Sequence, residues 1–345
     1  MPAFAIYRLP YENRATLIRQ NVGEPLELFS CQELNGRQGF VMAPFQVTAS
    51  QPILLIRPDE VEHVACRTET IGFEGHVMTR PSQRNTYAID FANYHAQLEL
   101  GTFRKIVLAR CADEETAEPI DPMELFQRAC DRYPRMFIAL VSTEKSGCWL
   151  TATPEILLQS EGDRWRTIAL AGTMKLEDDQ LNSEGETVAW STKNIQEQRI
   201  VSTYITECLE QFTGDFQEEG PRTVRAANLV HLRSDFTFSL PGDAQLGDLL
   251  HALHPTPAVC GLPKREAFNF IVRNEHTPRR YYSGFMGPLG AKTRLYVSLR
   301  CMNIEGRHYH LYAGGGLLKD SVEQQEWQET EAKLETMRSL LNCLE

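Results

Sequence analysis

The fold follows from the stretch between residues 136 and 173, which reads MFIALVSTEKSGCWLTATPEILLQSEGDRWRTIALAGT. Three apolar runs, MFIALV, CWLTATPEILL and WRTIALAGT, are separated by the turn-forming stretches EKSG and EGDR. Short apolar runs that alternate with tight turns are typical of antiparallel strands. We therefore predict a β-meander of three strands here.

A second β-rich block and six helical patterns surround this meander. The block spans residues 281–315 and reads YYSGFMGPLGAKTRLYVSLRCMNIEGRHYHLYAGG. Apolar residues recur at helical spacing in residues 87–100, 122–133, 193–212, 246–253, 263–274 and 322–341. Grouped strands with surrounding helices favour stacked antiparallel sheets covered by helices over alternating β-α-β units. No long linker, low-complexity tract or repeat marks a boundary, so we predict one large α+β domain over residues 1–345.

Composition excludes several classes of function. The net charge of −11 disfavours a nucleic acid or an anionic membrane as partner, because both require a basic face. Nine scattered cysteines, without a CxxC pair, are expected to be reduced thiols. No apolar run approaches the length of a membrane span, and the start has no signal pattern, so we expect a cytoplasmic protein. A small anionic ligand remains possible if lysines, arginines or a metal receive it.

The C-terminal stretch joins a glycine triplet to a charged helix. It reads YAGGGLLKDSVEQQEWQETEAKL over residues 312–334 and places Glu326, Glu329 and Lys333 on one helical face. Glycines let a backbone approach a ligand closely. This arrangement suits a metal ion that holds a carboxylate substrate, although Glu329 and Lys333 would also form an ordinary ion pair on a solvated helix.

A further carboxylate is expected on a buried helical face. Glu197 lies one turn before Val201, on the apolar stripe of the helix over residues 193–212. A buried carboxylate is costly unless it is paired or binds a cation. Carboxylates from separate helices are the ligands that Mg²⁺ prefers. The alternative is that Glu197 lies in the first turn and complements the helix dipole.

Two strand segments add ionisable groups. In FRKIVLAR, residues 103–110, alternation places Lys105 on the same side as Val107 and Ala109, where a lysine that loses its proton could act as a general base. In TATPEILL, Glu155 begins a strand, where a partly buried carboxyl could act as an acid. The alternatives are an edge-strand lysine and a solvated glutamate at a strand end.

Together these segments resemble the chorismate-utilising enzymes, and within them the isochorismate synthases. The resemblance covers residues 86–341, with residues 1–85 as a divergent N-terminal part. Its segments occur in family order: KIVLAR, TPEILL, ALAGT, KNIQEQ, HLRSDF, LHPTPAVCGLPKREA, YYSGFMGPLG, YVSLR, YAGGG and EWQETEAKL. The family fold that this implies is α+β, with two stacked, mostly antiparallel β-sheets flanked by helices and an active site in the central cleft.

The resemblance also implies roles for particular residues. Lys105 would be the general base that deprotonates water, and Glu155 the general acid that protonates the departing hydroxyl of chorismate. Glu197 and Glu329 would bind Mg²⁺ directly and Glu326 through water. The implied substrate contacts are Leu170, Gly172, Thr173, His254, Ala258, Tyr282, Arg300, Gly314, Gly316 and Lys333.

Two positions bear on the reaction within the family. The aminating relatives typically carry glutamine at the position of Lys105, so lysine favours water as the nucleophile. Those relatives and the salicylate synthases usually carry threonine at the position of Ala258, so alanine favours isochorismate as the product. A salicylate synthase and a non-catalytic chorismate-binding protein remain the alternatives. No amidotransferase segment is present, and we expect no obligatory amidotransferase subunit.

The sequence departs from the family pattern at several positions. Asn194 replaces a usual acidic residue, which puts the outer metal shell in doubt, and Gln198 replaces a common histidine. Residues 174–177 lack the arginine-glycine that often follows LAGT. The resemblance implies that the product serves either menaquinone or siderophore synthesis.

Overall fold

Two antiparallel β-sheets form the centre of the computed structural model, which describes residues 3–66, 77–79, 83–175, 189–226, 229–240 and 246–342. The strands are β1 Ala3–Arg8, β2 Arg14–Gln20, β3 Leu26–Leu28, β4 Gly39–Ala43, β5 Ile53–Ile56, β6 Glu60–Ala65, β7 Val77–Thr79, β8 Lys105–Thr116, β9 Phe137–Thr143, β10 Gly147–Thr153, β11 Ile156–Glu161, β12 Arg164–Lys175, β13 Phe216–Ala226, β14 Leu229–Ser239, β15 Gly261–Leu262, β16 Phe285–Leu289, β17 Arg294–Val297, β18 Cys301–Glu305 and β19 His308–Leu317.

The helices match the six sequence patterns. They are α1 Arg84–Glu99, α2 Pro122–Arg132, α3 Thr192–Leu209, α4 Leu246–Leu253, α5 Lys264–Asn274 and α6 Glu323–Leu341, together with a short 3-10 helix at Cys31–Leu34. Local chemistry explains two of the starts: Asp121 accepts the Met123 amide at 3.0 Å, and Ser191 accepts the Asn194 amide at 3.2 Å. In the part of the chain that the structure describes, no helix is both long and apolar enough to cross a membrane.

The two sheets have ten and nine strands. Sheet I has the order β15-β8-β19-β18-β10-β9-β1-β2-β6, with β7 also paired to β8. Sheet II has the order β13-β14-β12-β11-β17-β16-β4-β5-β3. The N-terminal strands extend both sheets, since β1, β2 and β6 belong to sheet I and β3, β4 and β5 to sheet II. The predicted fold class, one α+β unit with two stacked antiparallel sheets, is confirmed.

Apolar side chains form the layers around and between the sheets. Residues of both sheets pack face to face in the middle, where the Phe137 ring of sheet I stacks on the Tyr296 ring of sheet II at 4.2 Å between centroids. On the outer face of sheet II lie α3 and α4, and on that of sheet I lie α2 and α6. Helices α1 and α5 cover the end of sheet I near β8.

The chain crosses from one sheet to the other at two adjacent places. β10 ends in sheet I and β11 begins in sheet II after Pro154 and Glu155, while β17 ends in sheet II and β18 begins in sheet I after Arg300. The apolar runs CWLTATPEILL and RLYVSLRCM, which each look like one strand, are therefore two strands each. Backbone hydrogen bonds fix both crossings, from Val297 N to Glu155 O at 2.9 Å and from Ala152 N to Arg300 O at 3.1 Å.

Candidate active site

A cavity opens between the two sheets beside these crossings. It is lined by residues of both sheets and of helices α3 and α6, and concave sites of this kind are where small-molecule ligands bind. Eleven of the residues proposed from the sequence line it: Glu155, Leu170, Gly172, Thr173, Glu197, Ala258, Tyr282, Arg300, Gly314, Gly316 and Lys333. The structure thus brings together residues from distant parts of the chain.

Lys105 and Glu197 form a buried ion pair at the edge of this cavity. Lys105 Nζ lies 2.9 Å from Glu197 Oε1, and the side chains are 0% and 12% exposed. Lys105 is not on a free edge, because Leu262 of β15 pairs with it. Glu197 lies in the second turn of α3 on the buried stripe with Val201, so the first-turn alternative does not hold. Burial alone would raise the pKa of Glu197, but the charge and hydrogen bond of Lys105 hold it below its usual range.

Glu155 is a buried carboxyl at the crossing between β10 and β11. It is 4% exposed, so the alternative of a solvated strand-end glutamate is wrong. Burial raises the pKa of Glu155 to about 8, although the charges of Lys105, Lys333 and Arg300 oppose this shift. The carboxyl is therefore mostly protonated near neutral pH and can donate a proton into the cavity.

Three carboxylates converge on the glycine triplet. A Cβ atom on Gly315 would lie 3.3 Å from Glu326 Oε2 and 3.9 Å from Glu329 Oε1. A Cβ atom on Gly316 would lie 2.1 Å from Glu197 Oε1. Only glycine leaves room for these contacts, so the triplet and the carboxylates form one cradle. Oxygen ligands from two helices fit a hard divalent cation such as Mg²⁺.

Each of these carboxylates also has a lysine beside it. Lys193 pairs with Glu326, whose pKa is raised by burial and by the neighbouring Glu329 charge. Lys333 Nζ donates to Glu329 Oε1 at 2.7 Å, as the helical spacing predicts. It also donates to Gly314 O at 2.9 Å and lines the cavity, so this pair is more than a solvated surface contact.

Arg300 and His231 form the cationic wall of the cavity. Arg300 is 5% exposed and has a left-handed backbone with φ of 45°, which is uncommon outside glycine and often marks functional sites. Its Nη2 donates to His231 Nε2 at 2.6 Å, so His231 Nδ1 carries the proton and donates to Gly172 O at 3.1 Å. Burial and the charges of Arg300 and Lys333 hold the pKa of His231 well below its usual value, so the ring is neutral.

Tyr282 completes the wall opposite the glycine triplet. A Cβ atom on Gly314 would lie 2.8 Å from the Tyr282 hydroxyl, so this glycine too allows a close approach. Burial raises the pKa of Tyr282, and the hydroxyl keeps its proton and remains a hydrogen-bond donor.

The remaining predicted residues lie around the cavity or away from it. Three predicted residues do not line the cavity but lie beside the glycine triplet that borders it: Lys105, Glu326 and Glu329. His254 is also outside the lining; its ring packs edge-on against Phe285 at 5.0 Å. Burial and the Lys264 charge lower the pKa of His254 to about 3.

Two residues at which the sequence departs from the family pattern, Asn194 and Gln198, both contact strand β12. Asn194 packs against Gly172, where a Cβ atom would lie 3.1 Å from Asn194 O. Gln198 Nε2 donates to Ala169 O at 3.1 Å and ties α3 to β12. The part of the 174–177 segment beyond residue 175 lies outside the described residues.

His231 is the functional residue that the sequence reasoning missed. Its segment, HLRSDF, is one of the segments that resemble the family, but the resemblance implies no role for the histidine. Strand alternation contains the signal, because Leu232 is on the same face of β14 as the core residue Phe236, while His231 lies opposite Thr173 on β12 and faces the cavity.

Comparisons with known proteins agree with this geometry. The family model described as "Chorismate binding enzyme" matches residues 63–342, which begins earlier than the expected residue 86. Isochorismate synthase MenF of Escherichia coli (strain K12) is 33% identical over 244 residues, covering 70% of this chain and 56% of that protein. Isochorismate synthase DhbC of Bacillus subtilis (strain 168) is 30% identical over 254 residues, covering 70% of this chain and 64% of that protein.

A solved structure shows the same fold over nearly the whole chain. The structure of MenF, the menaquinone-specific isochorismate synthase from Escherichia coli, matches with a TM-score of 0.84 at 23% identity, covering 99% of this chain and 89% of that chain. At this identity the likeness establishes the fold alone, whereas the family model extends over most of the sequence. The chain therefore belongs to the family of chorismate-binding enzymes.

Proposed function

We propose that this protein is an isochorismate synthase that converts chorismate to isochorismate with Mg²⁺. One observation carries the proposal: a single cavity is bordered by a protonated carboxyl, Glu155, by the buried amine of Lys105 and by a cradle of three carboxylates. Exchange of a hydroxyl group on a ring requires an acid and a base close to the substrate, and this cavity has both, together with a cation site. The names of the two sequence relatives support the same reaction, although this chain spans only 56% and 64% of their lengths.

The acid and base have separate tasks. Lys105 Nζ is the base that takes a proton from the water that forms a bond to C2 of chorismate. Glu155 gives its proton to the hydroxyl that leaves C4, and both ring double bonds shift, from C1=C2 and C5=C6 to C6=C1 and C4=C5. One water enters and one water leaves, so the product is an isomer of the substrate. Burial of both groups keeps bulk water away from these proton transfers.

The carboxylate cradle would hold the metal. Glu197 and Glu329 are placed to bind Mg²⁺ directly, and Glu326 through a water molecule. When bound, the ion supplies positive charge that anchors the ring carboxylate and stabilises negative charge there. Lys193 and Lys333 neutralise part of the carboxylate charge at Glu326 and Glu329.

The cationic wall would hold the second carboxylate. Arg300 presents a guanidinium fork that fits a carboxylate by two parallel hydrogen bonds. His231 accepts from one Nη of Arg300 and so fixes the plane of that fork. The Tyr282 hydroxyl donates toward the same region, beside Gly314. Together these groups orient the ring between Lys105 and Glu155.

Incubation of the purified protein with chorismate and Mg²⁺, followed by product identification, tests the proposal. We expect isochorismate without release of pyruvate, and turnover about 10²- to 10⁴-fold lower in the Glu155→Gln variant. Salicylate with equal amounts of pyruvate would assign the protein to the salicylate synthases, and anthranilate formed with ammonium would show that Lys105 does not select water. Binding of chorismate without any product would make it a non-catalytic binding protein.

A further inference from the structure

An arginine-rich groove lies next to the cavity on the side of sheet II. Its walls carry six arginines: Arg135, Arg166, Arg222, Arg225, Arg233 and Arg294. Glu12 is the one acidic residue among the described residues that line it. This concentration of positive charge contrasts with the net charge of −11 of the whole chain. We call this feature the arginine groove.

Three of the arginines share one carboxylate. Asp235 Oδ2 lies 2.5 Å from Arg222 Nη2, and Asp235 Oδ1 lies 2.6 Å from Arg233 Nη2 and 2.9 Å from Arg166 Nε. The Asp235 side chain is 8% exposed, whereas those of Arg222 and Arg166 are 45% and 32% exposed. Three positive charges around one buried negative charge leave an excess of positive charge that faces the groove.

The groove and the cavity share walls. Pro154 and Leu170 line both. On β14, alternation places Asp235, Arg233 and His231 on one face, so this face leads from the groove to the cavity.

The pairing of residues between neighbouring strands also connects the groove to the cavity. Leu170 of β12 lies directly opposite Arg233, and Arg233 lies directly opposite Arg222 of β13. The next pair on the same face of β14, Thr173 and His231, lines the cavity. Arg300, which donates to His231, continues the cationic surface to the proposed carboxylate site.

We propose that the arginine groove is the electrostatic approach by which a small dianion with two carboxylates is captured and guided into the cavity. The inference rests on the proposed function, since chorismate is such a dianion. Exposed arginines act over roughly one Debye length, about 8 Å at physiological ionic strength, and walls of low dielectric focus their field. The groove is needed because the rest of an acidic protein repels an anionic substrate.

Neutralisation of two groove arginines tests this role. Arg135→Gln and Arg222→Gln remove exposed charges, while Asp235 keeps Arg166 and Arg233 as partners. Arg222→Lys keeps the charge, and Arg265→Gln on α5 removes an 86% exposed charge that does not line the groove. The rate constant for chorismate association would be measured by stopped-flow protein fluorescence, beside kcat and kcat/KM, between about 0.02 M and 0.5 M salt.

We expect the double variant to associate with chorismate about three- to tenfold more slowly at low salt, with kcat unchanged and the difference lost at high salt. Arg222→Lys and Arg265→Gln should behave like the unaltered protein. An association rate that is independent of salt and of both groove arginines would overturn the inference. Fast, salt-dependent association without conversion would refute the proposed function and leave the groove's role intact. Inhibition by pyrophosphate that does not compete with chorismate and is lost in Arg222→Gln would instead assign the groove to a regulatory anion.

Discussion

Lys105 Nζ and Glu197 Oε1 lie 2.9 Å apart at the edge of the cavity, where the proposed base is next to a proposed metal ligand. The pair joins strand β8 of sheet I to helix α3, which packs on sheet II. A residue with a chemical role therefore also has a structural role. Removal of either partner leaves the other as a buried charge without its counter-charge.

Lys105→Met separates these two roles. We expect activity to fall about 10²- to 10⁴-fold, because proton transfer from water is lost. We expect the free energy of unfolding to fall by about 3 to 5 kcal/mol, because Glu197 loses its buried partner. The double variant Lys105→Met/Glu197→Gln should regain most of the stability and none of the activity. Urea unfolding and turnover assays measure both quantities; near-normal turnover in Lys105→Met would show that another group activates water.

The raised pKa of Glu155 predicts how activity depends on pH. The general acid must be protonated, and its pKa is about 8, so kcat should decline as the pH rises through about 8. Glu155→Gln should lower kcat about 10²- to 10⁴-fold and remove this inflection. A profile of kcat from about pH 6 to pH 10 tests the assignment, and a decline that persists in Glu155→Gln would move the acid elsewhere.

The same pKa predicts a change in stability. Because the folded-state pKa is above the unfolded value, the contribution of Glu155 to stability is present below the unfolded pKa and is lost as the pH rises through about 8. Glu155→Gln cannot ionise. Relative to the unaltered protein it should therefore gain stability between about pH 5 and pH 9 in urea unfolding. If the free energies of unfolding of Glu155→Gln and of the unaltered protein differed by the same amount at both pH values, Glu155 would not be buried in solution.

Gly316→Ala tests the metal cradle without removing a carboxylate. The added Cβ would lie 2.1 Å from Glu197 Oε1 and 2.8 Å from Lys105 Cε, so Glu197 must move. We expect the affinity for Mg²⁺, measured by titration calorimetry, to fall about 10- to 100-fold. Gly214→Ala is the matched control, because no heavy atom would lie within 4 Å of its Cβ. Unchanged Mg²⁺ affinity in Gly316→Ala would place the metal outside this cradle.

Chelation provides a direct test of the requirement for a metal. The unaltered protein should lose its turnover of chorismate in EDTA and regain it with excess Mg²⁺, because the three carboxylates proposed to hold the ion lie around the glycine triplet beside the cavity. Turnover that persists in the chelator would refute the magnesium assignment. Unfolding in urea, measured with and without EDTA, separates lost catalysis from lost structure.

His231→Ala tests the positioning of Arg300. Loss of the acceptor at 2.6 Å frees the guanidinium, and we expect KM for chorismate to rise about tenfold with a smaller change in kcat. His231→Gln, whose amide oxygen can accept the same bond, should recover part of this loss. Because the pKa of His231 is far below its usual value, kcat/KM should show no inflection near pH 6.5 that depends on this residue. Such an inflection, absent from His231→Gln, would contradict the neutral ring.

Sequence patterns were sufficient for the helices and for the buried positions of Glu197 and Lys105, whereas most residues of the cavity followed from the resemblance to the family. Helices such as α3 and α6 have apolar stripes that define which face is buried, and Glu197 and Glu326 could be placed by counting along those stripes. The buried side of Lys105 followed from alternation in β8. These features depend on residues close together in the chain, where periodicity is informative.

The crossings between the sheets were not predictable in the same way. At each crossing, a strand of one sheet is followed at once by a strand of the other sheet. Apolar residues are buried on both sides of Glu155 and of Arg300, so the two strands read as one continuous apolar run. His231 required the pairing of β14 with β12, which is a long-range property. His254 is a prediction that went too far. The resemblance implies a substrate contact for it because it belongs to the same segment as Ala258, but only Ala258 of these two residues lines the cavity.

The division of the first 65 residues between the sheets has a consequence for shortened forms of the protein. β9 pairs with β1 in sheet I, and β16 pairs with β4 in sheet II. A fragment that begins at residue 63, where the family match starts, would expose unpaired backbone along both strands. Such edges are templates for intermolecular pairing, so this fragment should aggregate instead of folding into a smaller enzyme.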